Sequence, residues 1–392
     1  MCEKYIIVDM QSQSEPGPLE LWIQEQIRAN GPVTMAQFIE WALYHPTLGY
    51  YTTGPNIGPR GDFTTSPEAS PGFGRLFARH LRDIDEVLGH PPQFDVIECG
   101  PGRGTLAHDL LGAVQEEDPD LYSRLRYWLV EISPALIEAQ RERLLPEHSG
   151  LVQWRGSVEE IPHGAQAAVI ANEFVDAFPV HVVENRDGIV YEQFVALDKN
   201  GALTIDYMPP SEKALLDFLQ DQQINLQPGE RIEINIAANH WLQALSDVLE
   251  RGIVTIIDYG DQAPQRYSAA RREGTLLAYY RGAVTDNILA HAGEQDITAL
   301  VDFTALQSAA KQAGFTTVGI TRQAHFLLGL GLGTTHTPET ATSTVEEALV
   351  YRRGLQALIS MEGLGRFHVL VLSKGIELQS ATELPALKFV DL

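Results

Sequence analysis

Cysteine is nearly missing from this chain of 392 residues, which carries only Cys2 and Cys99. No disulfide framework can be built from them, and a reducing compartment is the expected setting. Basic residues are also scarce: 28 lysines and arginines stand against 52 aspartates and glutamates, a net charge of −24. Phosphate binding needs a basic surface, so no nucleic-acid partner is expected. The acidity is compatible with a cationic substrate and equally with plain solubility. Long hydrophobic runs are absent too. The longest, Gly252 to Ile257 and His368 to Leu372, are strand-sized, so no membrane span is expected. Residues Met1 to Asp9 lack a basic stretch leading into a long apolar core and are not rich in Arg and Ser. Neither a secretory signal nor a transit peptide is therefore expected, and the location reads as cytoplasmic. Metal-ligand spacings are missing as well.

What the chain does have is Phe94-Asp95-Val96-Ile97-Glu98-Cys99-Gly100-Pro101-Gly102-Arg103-Gly104-Thr105-Leu106. Val96 and Ile97 read as a buried parallel strand ending at Glu98, and Leu106, Leu110, Leu111 and Val114 as the helix that follows. Glycines at alternate positions between them allow a sharp turn and close approach of backbone to a ligand, and the helix amides then point at that ligand. A dinucleotide fingerprint requires G-x-G-x-x-G with an acid about 20 residues on. Here Thr105 follows Gly104, and the next strand-end acid, Glu131, lies 31 positions after Gly100. The pattern is instead acid-x-G-x-G-x-G, the form used to bind S-adenosylmethionine (SAM).

The remaining chain falls into order around that turn. Pro18 opens a helix that Gly31-Pro32 stops, Thr34 caps a second, and a glycine-rich segment runs from Tyr44 to Gly74. Its part from Gly54 to Glu68 is expected to form a lid over the ligand. A helix from Phe73 to Val87 leads into the glycine strand. Further strands are expected at Leu125 to Ile132, Leu151 to Trp154, Ala167 to Ala171, Ile253 to Ile257 and Phe315 to Ile320, alternating with helices as in a parallel doubly wound sheet. A last strand, Phe367 to Leu372, is expected to insert antiparallel. Between about 181 and 250 the alternation breaks, with a hairpin turning at Asp198-Lys199-Asn200-Gly201 and helical patterns at Ser211 to Leu219 and Ala237 to Leu249.

In an open α/β sheet, ligands bind at the carboxyl ends of the strands near the switch point. Glu131 is placed to accept the ribose hydroxyls of SAM, Ser157 and Val158 to border adenine, and Glu98 to offset the cationic tail. The expected cofactor-binding set is Glu98, Gly100, Pro101, Gly102, Gly104, Thr105, Glu131, Ile132, Ser157, Val158 and Asn172. The fourth strand ends in Asn172-Glu173-Phe174-Val175-Asp176, where Asn172, Glu173 and Asp176 are the expected catalytic residues. A guanidinium acceptor needs carboxylates to hold its planar fork, with Asp258 or Tyr259 of the fifth strand close by. His181 reads as structural, and Cys99 as a buried small residue with no paired histidine.

Several blocks then identify a resemblance. They are Leu43 to Tyr51, Gly61 to Glu68, Glu98 to Leu106, Ala171 to Val180, Ile257 to Gly260, Glu294 to Thr298 with Val301-Asp302-Phe303, and Gly363 to Phe367. Over residues 17 to 375 the chain resembles the MidA-like family of SAM-dependent methyltransferases, related to the mitochondrial complex I assembly protein arginine methyltransferase. The resemblance implies a class I SAM-methyltransferase α/β fold: a Rossmann-like seven-stranded sheet with a helical N-terminal addition and an inserted α+β subdomain. The implied segments are 1–92 for the addition with its lid loop, 93–180 and 251–375 for the SAM-binding domain, 181–250 for a substrate-side insertion, and 376–392 for a tail. It also implies a protein substrate presenting an arginine side chain, with a respiratory-complex subunit as a candidate. Against this stand a SAM-binding assembly factor acting through partner binding, and a nicotinamide oxidoreductase, which Thr105 and the position of Glu131 disfavour.

Overall fold

The computed structural model describes residues 15–54, 65–334, 344–378, 380 and 383–389. Most of the expected lid, residues 55–64, therefore lies outside the described residues. The described chain divides into two compact units. The first takes residues up to 56, Asp176–His240 and Asp261–Leu306; the second takes residues from 57 to Val175, Trp241–Gly260 and Gln307 onward.

The second unit is built on a seven-stranded sheet: β1 (Phe94–Cys99), β2 (Leu125–Val130), β3 (Val152–Arg155), β4 (Ala165–Asn172), β5 (Leu249–Asp258), β6 (Thr316–Arg322) and β7 (His368–Lys374). Their order across the sheet is β6-β7-β5-β4-β1-β2-β3. β1 to β5 run parallel, and β7 is antiparallel to both its neighbours, as expected for the class I sheet. The strand order reverses between β1 and β4, so the switch point lies at the carboxyl end of the glycine strand. Every residue of β1 is buried, because both faces of a central parallel strand are covered. Asp95 ties β1 to β2 by accepting from Arg126 Nε (2.6 Å) and Trp128 Nε1 (2.8 Å).

Helices cover this sheet for reasons visible in their sequences. Gly72–Leu88 buries Phe73, Leu76, Phe77, Leu81, Ile84 and Leu88 at helical spacing and stops at Gly89, which has φ +77°. Thr105–Glu117 buries Leu106, Leu110, Leu111 and Val114. Pro134–His148 starts with proline in its first turn, and the Ser133 hydroxyl accepts from the Leu136 amide. A further helix, Val345–Ile359, opens with a capping box between Thr344 and Glu347. It had not been expected.

The first unit opens with the two expected helices, Pro18–Asn30 and Met35–Tyr44, the latter capped by the Thr34 hydroxyl. Its larger sheet orders Val33–Thr34, Ile189–Leu197, His181–Arg186 and Arg231–Ile234, with Leu203–Met208 also paired to Ile189–Leu197. The hairpin turns at Asp198, whose amide donates to Ala202 O (2.8 Å). The stretch from Thr275 to Asp302, irregular by its sequence pattern, contains a small antiparallel sheet of Leu277–Tyr280, Ala283–Thr285 and Asp296–Thr298.

Candidate active site

At the switch point the chain leaves β1 through three left-handed glycines: Gly100 at φ +66°, Gly102 at +53° and Gly104 at +74°. A side chain at any of them would carry backbone strain. At Gly100 a Cβ would also stand 2.7 Å from Phe174 Cδ2. The turn is pinned by Gly100 N donating to Val130 O (3.1 Å) and Gly104 N to Pro101 O (2.9 Å). Gly104 supplies no side-chain cap to the helix Thr105–Glu117, which leaves its first-turn amides turned toward the sheet edge.

Two carboxylates flank this turn. Glu98, at the end of β1, is buried and accepts from Tyr127 Oη (2.7 Å). Burial pushes its carboxyl up to about 7, against the lowering bond from Tyr127, and the charge of Glu131 adds to the rise. Glu131, after β2, is also buried, and burial likewise pushes it up to about 7. Its Oε1 accepts the amides of Ile132 (2.9 Å) and Ser133 (2.8 Å), while Oε2 receives a longer bond from Gln140 Nε2 (3.3 Å). Gln140 was not singled out in the sequence. It is fully buried, donates to Gly102 O (2.6 Å) and accepts from Trp154 Nε1 (2.8 Å).

Around these, Ile132 is 49% exposed, an apolar side chain displayed beside Glu131. Ser157 is half-buried and Val158 buried, at the start of the short helix Val158–Glu160 after β3. Thr105 is engaged through its side chain, donating to Glu68 and accepting from Arg143. The structure thus brings Glu98, the glycines, Thr105, Glu131, Ile132, Ser157 and Val158 to the carboxyl ends of β1 to β3.

At the end of β4, Asn172 Nδ2 donates to Glu173 Oε1 (3.2 Å), and Asn172 Oδ1 is buried with no hydrogen-bond partner among the described residues. Glu173 has φ +51°, a left-handed conformation unusual for glutamate. Its amide donates to Ile257 O (2.8 Å), and its Oε1 also accepts the Ser66 amide (3.0 Å). Asp258 of the fifth strand lies next to this block. It is fully buried, and its carboxylate accepts the amides of Phe174 (3.3 Å), Val175 (3.0 Å) and Tyr259 (2.8 Å). That carboxylate is committed to holding the turn after β4, because backbone amides buried there need an acceptor. Phe174 packs edge-on against Trp241 at 5.5 Å. Cys99 is buried, which pushes its thiol up to about 12, far from a nucleophilic thiolate.

Asp176 belongs to the first unit. Its Oδ2 accepts from Thr298 Oγ1 (3.0 Å), and its carbonyl accepts the Ala299 amide (3.3 Å). Close by, Tyr44 Oη donates to Ala177 O (2.8 Å) and Tyr51 Oη to Asp296 Oδ1 (2.9 Å), with the two rings stacked at 5.5 Å. Blocks far apart in sequence thus meet in one buried polar network. His181 bridges Glu192 (2.7 Å) and Glu212 (3.2 Å) in the same unit, a structural role as expected.

The donor set of the second unit fits a ligand with a hydroxylated ring, an apolar heterocycle and a cationic tail. It combines a glycine turn, two buried carboxyls and the exposed apolar side chain of Ile132. A family model for S-adenosyl-L-methionine-dependent methyltransferases matches residues 75–321. The chain is 29% identical to "Protein arginine methyltransferase NDUFAF7 homolog, mitochondrial" of Drosophila melanogaster, over 77% of this chain and 72% of that one. It is 28% identical to "Protein arginine methyltransferase NDUFAF7, mitochondrial" of Homo sapiens, over 80% and 74% respectively. A Burkholderia thailandensis crystal structure with S-adenosyl-homocysteine bound superposes with a TM-score of 0.84, at 30% identity over 97% of this chain and 99% of that one. These relatives correct one expectation: the curated proteins are named as mitochondrial, which overturns the cytoplasmic reading. Among the described residues no helix is long and apolar enough to cross a membrane.

Proposed function

The chain belongs to the family of S-adenosyl-L-methionine-dependent methyltransferases, and from that membership we propose that it methylates a side-chain nitrogen of an arginine in a protein. When bound, SAM supplies an electrophilic methyl group; the chain's own residues hold both reactants in line and match charge as it moves. In this reading the backbone of Gly100, Pro101, Gly102, Gly104 and Thr105 lies along the cofactor. Glu131 accepts the ribose hydroxyls, Ile132, Ser157 and Val158 border adenine, and Glu98, steadied by Tyr127, faces the cationic tail. Asn172 offers its buried Oδ1, which has no hydrogen-bond partner among the described residues, to a donor of the bound reactants.

The observation that carries the acceptor assignment is Glu173. A glutamate held left-handed costs about 1–2 kcal/mol, and such strain persists only where the surroundings enforce it. Here Ser66, Asn172 and Ile257 enforce it. They fix a carboxylate at the sheet's ligand edge, the group a guanidinium requires. The names of the curated relatives support arginine as the acceptor, and the family resemblance supplies a respiratory-complex subunit as the first protein to test.

The test is turnover with radiolabelled SAM. Glu173→Gln is expected to lower the rate by about 100-fold while SAM affinity stays at the wild-type value. Wild-type turnover in Glu173→Gln would overturn the assignment. Asp176→Asn is the second substitution to measure.

A further inference from the structure

We propose that Gln140 is a positioning residue for the cofactor, its carboxamide fixing the ribose-facing oxygen of Glu131 relative to the glycine turn. The inference rests on the reading of Glu131 as the ribose acceptor. Gln140 lies on the helix Pro134–His148 and is fully buried. An apolar side chain would pack that helix without any desolvation cost, so a buried carboxamide calls for a polar reason. Each of its polar atoms has a partner. Nε2 donates to Gly102 O (2.6 Å) and Glu131 Oε2 (3.3 Å), and Oε1 accepts from Trp154 Nε1 (2.8 Å).

The amide's orientation is dictated from outside. The Trp154 indole can only donate, so Oε1 must face it, and Nε2 must then face the Gly102 carbonyl and the Glu131 carboxylate, which both accept. One rigid plane therefore links the turn after β1, the acid after β2 and the indole on β3. Each partner is constrained in a different way. Gly102 sits at φ +53°, and holding its carbonyl keeps the turn's amides turned toward the ligand. Glu131 Oε1 is saturated by two amides, so Oε2 is the oxygen left for a diol, and the long Gln140 bond sets its direction. Gly104 belongs to the same device: a Cβ there would lie 3.2 Å from Gln140 Cγ and 3.5 Å from its Cα. The last glycine of the turn makes room for this glutamine.

The experiment measures calorimetric affinities for S-adenosylhomocysteine and for its 2′-deoxyribose analogue. Wild type is expected to prefer the natural ligand by about tenfold, the loss of one hydrogen bond to a charged acceptor. Gln140→Met keeps length and removes all polar contacts. It is expected to bind S-adenosylhomocysteine about fivefold or more weakly and to narrow the preference to about twofold. A residue that only packs would weaken both ligands alike, and an unchanged preference overturns the proposal. Gln140→Glu keeps the shape should the methionine variant not fold. It sets an acceptor against two acceptors, and its affinity deficit is expected to shrink from pH 8 to pH 6 as protonation restores a donor; a deficit independent of pH counts against the proposal. Glu131→Gln separates the two claims. If it leaves the preference at wild type, the ribose reading fails. If it abolishes the preference while both Gln140 variants keep it, only the positioning inference fails.

Discussion

Replacing Gly100 by alanine would set a Cβ 2.7 Å from Phe174 Cδ2 and 3.5 Å from two more atoms of the same ring, at a backbone φ of +66°. Two costs add. The left-handed conformation costs alanine about 1–2 kcal/mol, and relieving the overlap costs about 1–3 kcal/mol, as for other overpacked sites. Phe174 has little freedom to retreat, because its ring meets Trp241 at 5.5 Å and its amide donates to Asp258. The sum is about 2–5 kcal/mol. Gly89→Ala isolates the first cost: it shares the positive φ, at +77°, but a Cβ there meets nothing within 4 Å. Denaturant unfolding of both variants, with calorimetric SAM titration, gives the comparison. Gly89→Ala should lose about 1–2 kcal/mol and bind SAM normally. Gly100→Ala should lose more and bind SAM at least about tenfold more weakly, since relieving the strain and overlap shifts the backbone of the glycine turn that lies along the cofactor. Equal stability of the two variants with unchanged SAM affinity would refute the reasoning.

Other outcomes follow from the buried carboxyls. Burial raises Glu98 and Glu131 to about 7 in the folded state, above their ordinary 4.5, so the folded protein holds more protons than the unfolded chain between those values. Stability of the ligand-free protein from these two groups therefore falls as pH rises from about 4.5 through 7. The melting temperature should climb between pH 8 and pH 6, and less steeply in Glu131→Gln; an equal slope in that variant would exclude Glu131. A cation bound beside these groups favours their charged forms. SAM binding at pH 6.5 should thus release protons, seen as a dependence of calorimetric heat on buffer ionisation enthalpy; proton uptake would contradict it. Asp258→Ala leaves three backbone amides without their acceptor, at a cost of about 3–5 kcal/mol; a loss below about 1 kcal/mol on denaturant unfolding would deny Asp258 its structural role.

The glycine turn was readable because its logic is local: an apolar strand, glycines where φ must be positive, and a helical period follow one another within a dozen residues. The antiparallel final strand was expected from the α/β architecture, and the register of β7 between β5 and β6 agrees with it. Gln140 was invisible because its role depends on Gly102, Glu131 and Trp154, partners from three different segments, and nothing in its neighbourhood on a charged helix marks it. The part Asp258 plays in holding the turn after β4 was illegible for a related reason: a strand-end acid looks the same in sequence whether it faces a ligand or caps buried amides, and only its hydrogen-bond partners decide. The strands within 277–298 are three or four residues long, too short to show a period of two, so that stretch read as irregular.

The most direct test of the account is mass spectrometry of candidate protein acceptors, respiratory-complex subunits first, after incubation with the purified chain and methyl-deuterated SAM. The account requires labelled methyl groups on arginine guanidino nitrogens with wild type and their loss with Glu173→Gln. Label on lysine or on a small molecule instead, or no transfer from a chain that binds SAM, would contradict it.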